Sequence, residues 1–145
     1  DLAKEKTLHD ALLGLIETGV VKSAHDCAEG GLAVALAECA ISELTARQTP
    51  RLTGAEIDLS EFDCERLDAL LYGEAHGRVI ITTCEAEAGA AVDRAKLLGV
   101  PATRIGSVTG GDTLDFKAGD NSLSWKLSDL HDVWWNTIAR VMDKK

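Results

Sequence analysis

Apolar residues recur at helical spacing at the start of the chain, where Leu8, Leu12, Leu15 and Ile16 share a face. The pattern stops at Gly19, a natural left-handed cap. Val20 to Ala24 then reads as a short strand. From Glu29 to Glu43 apolar side chains cover most of the helical circumference, with Leu32, Leu36, Cys39 and Ala40 on one face and Val34 and Ile41 on another. Such a helix is expected to be covered on more than one side. Thr45 to Gly54 breaks the pattern and reads as a loop. Ala55, Ile57 and Leu59 alternate with Glu56 and Asp58, the period of a strand with one wet face.

A short helix through Leu67, Leu70 and Leu71 leads to Gly73. The triplet Val79-Ile80-Ile81 inside Arg78 to Cys84 marks the expected central strand. An alanine-rich helix from Glu85 to Leu98 is stopped by Gly99-Val100-Pro101. Thr103 to Val108, Thr113 to Lys117 and Ser122 to Leu127 read as three strands separated by Gly110-Gly111 and Gly119-Asp120-Asn121 turns. The last helix takes Ser128 as its predicted N-cap and carries the stripe Leu130, Trp134, Ile138, Val141. Trp134 is expected in the core, Trp135 at the edge of the stripe, and His9 and His131 in solvent. The order strand, helix, strand, short helix, strand, helix, strand predicts an α+β (α/β layered) fold. Its mixed sheet has a ferredoxin-like split β-α-β core, with extra strands and terminal helices.

At 145 residues the chain matches one domain, and 46% hydrophobic residues suffice for a core. Lys and Arg total 15 against 24 Asp and Glu, giving a net charge of -9. That balance argues against a nucleic-acid partner, which needs a basic face. Apolar runs fall well short of the roughly 20 residues that span a bilayer, so no membrane partner is expected. Cys27, Cys39, Cys64 and Cys84 lie 12, 25 and 20 residues apart, without the paired spacing of zinc or redox sites. Two of them sit in apolar runs, so they read as reduced, buried thiols in a cytoplasmic setting. The chain begins at Asp1 and its one methionine is Met142, so a longer polypeptide is expected.

The sharpest chemical feature is Ser23-Ala24-His25-Asp26-Cys27-Ala28-Glu29-Gly30-Gly31-Leu32, which joins a strand to a buried helix. Gly30 and Gly31 permit close backbone approach, and amides at a helix N-terminus attract phosphate or carboxylate. Asp26 is a candidate magnesium ligand, since that ion prefers oxygen donors. The competing reading is a capping box, with Asp26 as cap and Glu29 three residues on. His25 lacks a third group for catalysis, and nothing in the sequence activates Cys27. The second feature is Tyr72-Gly73-Glu74-Ala75-His76-Gly77-Arg78, a polar knot before a strand. There Glu74, His76 and Arg78 either face a ligand, with Arg78 as its anion partner, or form a solvated turn.

The segments VKSAHDCAEGGLAVALAECAI, LYGEAHGRVIITT, GVPATRIGSVTGGDTL and LSDLHDVWWNTIARVMD, in this order, resemble the C-terminal domain of the phosphoribosylformylglycinamidine synthase synthetase subunits. These belong to the aminoimidazole ribonucleotide synthetase-like superfamily. The resemblance covers nearly the whole chain and implies that residues 1–145 are a single C-terminal domain of a longer multidomain enzyme. It implies part of an ATP-dependent ligase of purine synthesis, using ATP and Mg²⁺. That enzyme converts formylglycinamide ribonucleotide and glutamine-derived ammonia to the amidine. The implied partners are the preceding domains of the same chain and a glutaminase subunit or domain.

By position the resemblance brings a magnesium-associated acidic residue onto Asp26 and a substrate loop onto Glu74, Ala75 and His76. It implies no catalytic residue in this segment, which is inactive alone. Two alternatives stay open. One is a non-catalytic structural or pairing module. The other is a fragment of an aminoimidazole ribonucleotide synthetase-like or selenophosphate synthetase-like enzyme, against which the Trp-bearing helix speaks.

Overall fold

The computed structural model describes residues 1–41, 52–62 and 65–143. The end of the helix read to Glu43, most of the loop read from Thr45, and Cys64 lie outside the described residues. The chain divides into two compact units, Asp1–Gly31 with Glu74–Arg104, and Leu32–Gly73 with Ile105–Lys145.

The first unit holds α1 (Leu2–Glu17), β1 (Val21–Asp26), β3 (Val79–Thr83) and α4 (Ala88–Leu97). Asp1 caps α1 by accepting from the amides of Ala3 and Lys4. Gly19 ends it at φ 75°, as its sequence position demands. A 3₁₀ turn, Glu85–Glu87, precedes α4, and Gly99 at φ 82° follows it. Ala11 and Leu15 of α1 and Ala91 and Ala95 of α4 are buried, and α1 contacts both α4 and β1. Small residues on both helices allow that approach. β1 and β3 pair antiparallel, from Val21 with Thr83 to Asp26 with Val79, and the Ser23 and Thr82 hydroxyls meet at 2.6 Å.

The second unit holds α2 (Gly31–Ile41, from Leu32), β2 (Ala55–Asp58), α3 (Leu67–Tyr72), β4 (Gly106–Val108), β5 (Thr113–Ala118), β6 (Asn121–Lys126) and α5 (Leu127–Met142). Its sheet runs β4-β2-β5-β6 and is mixed, because β2 pairs parallel with β5 and antiparallel with β4. The β5–β6 hairpin turns over Gly119-Asp120, with Gly119 at φ 57°. A positive φ at the first loop position is what a type II′ turn requires. Alternation sorts the two faces as expected. Ile57, Leu114 and Phe116 are buried, and Phe116 meets Trp125 edge-on at 5.4 Å between ring centroids. On the wet face Asp115 accepts from the hydroxyls of Ser124 and Thr113, bonds that hold its carboxyl below the usual range.

The fold is thus α+β with a mixed sheet, as expected, and three local expectations need correction. β3 is half-buried throughout and, among the described residues, pairs with β1 alone, so it is not a central strand. A short apolar run carries no information on how many neighbours a strand acquires. Ser128 is not the N-cap of α5, because β6 runs directly into the helix. Leu127, fully buried, begins the first turn and its amide donates to the Asp112 carbonyl. Finally, the stripe on α5 forms but Trp134 is 46% exposed, and half-buried His131 lies 6.3 Å from each of the Trp134 and Trp135 rings.

Candidate functional site

The two sequence features converge in the first unit. The β1–β3 ladder sets Asp26 opposite Val79, and just beyond it the Cys27 amide donates to the Arg78 carbonyl at 3.0 Å. That bond fixes the exit of β1 beside the entry of β3. The loop before β3 then supplies Glu74, whose Oε1 accepts from the Gly30 amide at 2.8 Å. Gly30 and Gly31 both hold positive φ, 73° and 76°. Only glycine takes that conformation without strain, which explains why two occur in succession.

This geometry changes the capping-box reading. α2 starts at Gly31, five positions after Asp26, and the left-handed pair keeps the intervening segment out of the helix. Asp26 is exposed, and its carboxylate lies 3.9 Å from His25 Nδ1. His25 Nδ1 approaches the Asp26 carbonyl oxygen, its acceptor, at 2.6 Å. Glu74, Ala75 and His76 are exposed, whereas Arg78 is half-buried with its Nε shielded from solvent. Gly77 turns the loop at φ 74°, and a Cβ there would lie 3.0 Å from a Glu5 carboxylate oxygen of α1.

The structure therefore joins Gly30 to Glu74 and the Cys27 backbone to Arg78, while Asp26, Ala75 and His76 stand at the surface. The Glu74–Gly30 bond escapes sequence reading because 44 residues separate its ends. Cys27 is 1% exposed. Burial pushes its thiol up, opposed by the nearby Arg78 charge and reinforced by Asp26. It is a packing residue rather than a nucleophile. Cys39 and Cys84 lie in apolar runs yet are exposed, which corrects the buried reading for such cysteines. Native iodoacetamide labelling, mapped by mass spectrometry, is expected to modify Cys84 at least about 100-fold faster than Cys27, which reacts only through opening of the fold. Equal rates would show that Cys27 is accessible.

A concavity of about 510 Å³ lies over the wet face of the second unit's sheet, among Glu56, Asp58, Asp115, Lys117, Ser122 and Ser124. Lys117 approaches Asp58 at 3.8 Å, and the Ser60 hydroxyl, then its amide, hold the Asp58 carboxyl low. Lys117 pairs with Asp58 and Ser124 with Asp115 across neighbouring strands, so it reads as a solvated sheet face. No group of three His, Cys, Asp or Glu side chains able to hold a metal occurs among the described residues. None of the described helices is long and apolar enough to cross a membrane.

The mixed sheet, the Gly-Gly helix entry and the polar loop before β3 belong to a known class. Residues 1–119 match the family model for AIR synthase related protein, C-terminal domain, and the chain belongs to that family. Within it, the chain is similar to phosphoribosylformylglycinamidine synthase subunit PurL. It is 39% identical to the *Deinococcus radiodurans* protein over 145 residues and 37% identical to the *Anaeromyxobacter dehalogenans* protein over 144. Each match covers 98% of this chain but 18% of the relative, so the chain spans under a fifth of those relatives' length. Among solved structures, PurL of *Thermotoga maritima* complexed with ATP superposes with a TM-score of 0.71 at 20% identity, over 87% of this chain and 21% of that one. The same protein complexed with FGAR gives 0.70 at 19%, over 88% and 21%. At these identities the structures support the fold.

Proposed function

We propose that this chain is the single C-terminal domain of a cytoplasmic multidomain ligase. The enzyme converts formylglycinamide ribonucleotide, ATP and glutamine-derived ammonia to formylglycinamidine ribonucleotide. The observation that carries this reading is the 39% identity across 98% of the chain with a relative named for that synthase. The 18% share of the relative's length supports partners in the form of preceding domains of the same polypeptide, and the reading adds a glutaminase that supplies ammonia.

ATP and Mg²⁺ are the cofactors of the intact enzyme in this reading. Gly30, Gly31, Glu74, Ala75, His76 and Arg78 enter it as the loop pair bordering phosphate or substrate. Gly31 offers a helix-entry amide and Arg78 a forked cation, the donor types that an anion takes. Gly30 fits one only after Glu74 lets go of its amide. Asp26 is a lone exposed carboxylate, so a magnesium ion beside it depends on nucleotide phosphates for its other ligands. No reaction step is assigned to these side chains, and the segment alone is inactive.

The test compares the full polypeptide with residues 1–145 alone, measuring amidine formation from formylglycinamide ribonucleotide, ATP and ammonia. Turnover is expected from the first and none from the second. Turnover by the 145 residues, or none by a folded full polypeptide, overturns the reading.

A further inference from the structure

The C-terminal helix α5 is attached at one end and bare along the rest. Leu127 in its first turn is 0% exposed, Leu130 and His131 are half-buried, Trp134 is 46% exposed and Ile138 74%. At about 100° per residue, Trp134, Trp135, Ile138, Val141 and Met142 fall on one face with Leu127 and Leu130. The opposite face is polar and internally satisfied. There Asp132 accepts from Arg140 at 2.6 and 2.7 Å and from Asn136 at 2.8 Å. The bare face is thus the direct continuation of the stripe that anchors the first turn. A 16-residue helix of this make-up, rich in aromatic and β-branched residues, is marginal in water without packing. Contiguous exposed apolar patches of this kind mark interaction sites.

We propose that the face formed by Trp134, Trp135, Ile138, Val141 and Met142 docks onto the remaining part of the same polypeptide, an inference that rests on the multidomain reading above. The argument is one of length. The *D. radiodurans* relative aligns over 98% of this chain within 18% of its own length, so more than four-fifths of the relative is polypeptide beyond the matched segment. A covalently joined apolar surface meets α5 at high effective concentration. A second copy instead brings another net charge of -9, which opposes association. A membrane surface is disfavoured as well, because the polar face of α5 carries Asp129 and Asp132 against Arg140, the reverse of the basic face that anionic lipid selects.

The test is hydrogen exchange on the full-length polypeptide, followed at the amides of residues 135–142. Wild type is expected to be protected by about 100-fold or more relative to unstructured peptide. Ile138→Lys is expected to remove that protection, and Val133→Lys, exposed but off the face, to retain it. Amidine formation by each variant serves as the check that the polypeptide is folded. Unprotected wild-type amides in an active enzyme, or identical behaviour of the two variants, overturn the docking face while leaving the ligase reading intact. Protection that disappears on dilution assigns the face to a second copy and likewise overturns it. A coding sequence with no polypeptide beyond this chain overturns both.

Discussion

Gly106→Ala is expected to destabilise the second unit by about 4 kcal/mol, at the upper end of overpacking costs. Gly106 lies in β4 opposite Ile57 of β2. A Cβ there would stand 2.1 Å from the Glu56 carbonyl oxygen and 3.0 Å from the Ile57 Cα. These are backbone atoms of the paired strand, so no side-chain rotation makes room, and the methyl group has to push β4 away from β2. Gly14→Ala is the matching contrast. It lies inside α1 with nothing within 4 Å of the added Cβ. Removing backbone freedom from a helical glycine is expected to stabilise by roughly 0.5–1 kcal/mol. Urea denaturation of both variants checks the pair. A loss below about 1 kcal/mol for Gly106→Ala would show that β4 readjusts and that the close approach is not needed for the sheet.

What was legible in the sequence follows from how local each determinant is. The stop of α1 at Gly19, the alternation over residues 55–59 and the turn at Gly119-Asp120 depend on neighbours within a few positions, and all three stand in the structure. Pairing is different. β2 lies parallel to β5 with Ala55 opposite Leu114, and no periodicity in either strand encodes that choice. The same limit misplaced β3, whose apolar triplet fits a central strand and a two-stranded sheet equally well.

The candidate site divides along the same line. Gly30 and Gly31 announce a helix entry, and the positive φ of both bears this out. The acceptor for the Gly30 amide is Glu74, from a loop that only the fold brings near, so a local motif with Asp26 and Glu29 offered a cap that the backbone does not build. Cys27 was not legible as buried, because Asp26, Ala28 and Glu29 flank it in the sequence, and its raised thiol follows from the burial that the fold imposes. Trp134 shows the converse failure. A helical stripe fixes which residues share a face, yet it does not state whether the chain itself supplies the cover.

Leu127→Ala is expected to cost about 3 kcal/mol, the usual range for a leucine truncated at a fully enclosed position. Leu127 is 0% exposed and occupies the junction where β6 becomes α5. Its amide donates to the Asp112 carbonyl at 2.9 Å, tying the first turn to the residue before β5. The side chain is therefore the apolar half of an anchor whose polar half is a backbone bond that alanine leaves in place. Truncation opens a cavity beneath the first turn, and with little else holding α5 to its unit, the helix is expected to loosen before the sheet does. In residues 1–145 alone, where no docking partner covers α5, thermal unfolding followed by circular dichroism should show a drop of roughly 10 °C. Hydrogen exchange should show the α5 amides released at lower denaturant than those of β5 and β6. A variant that loses stability uniformly, with α5 and the hairpin opening together, would show that the helix is held along its length rather than at this one turn.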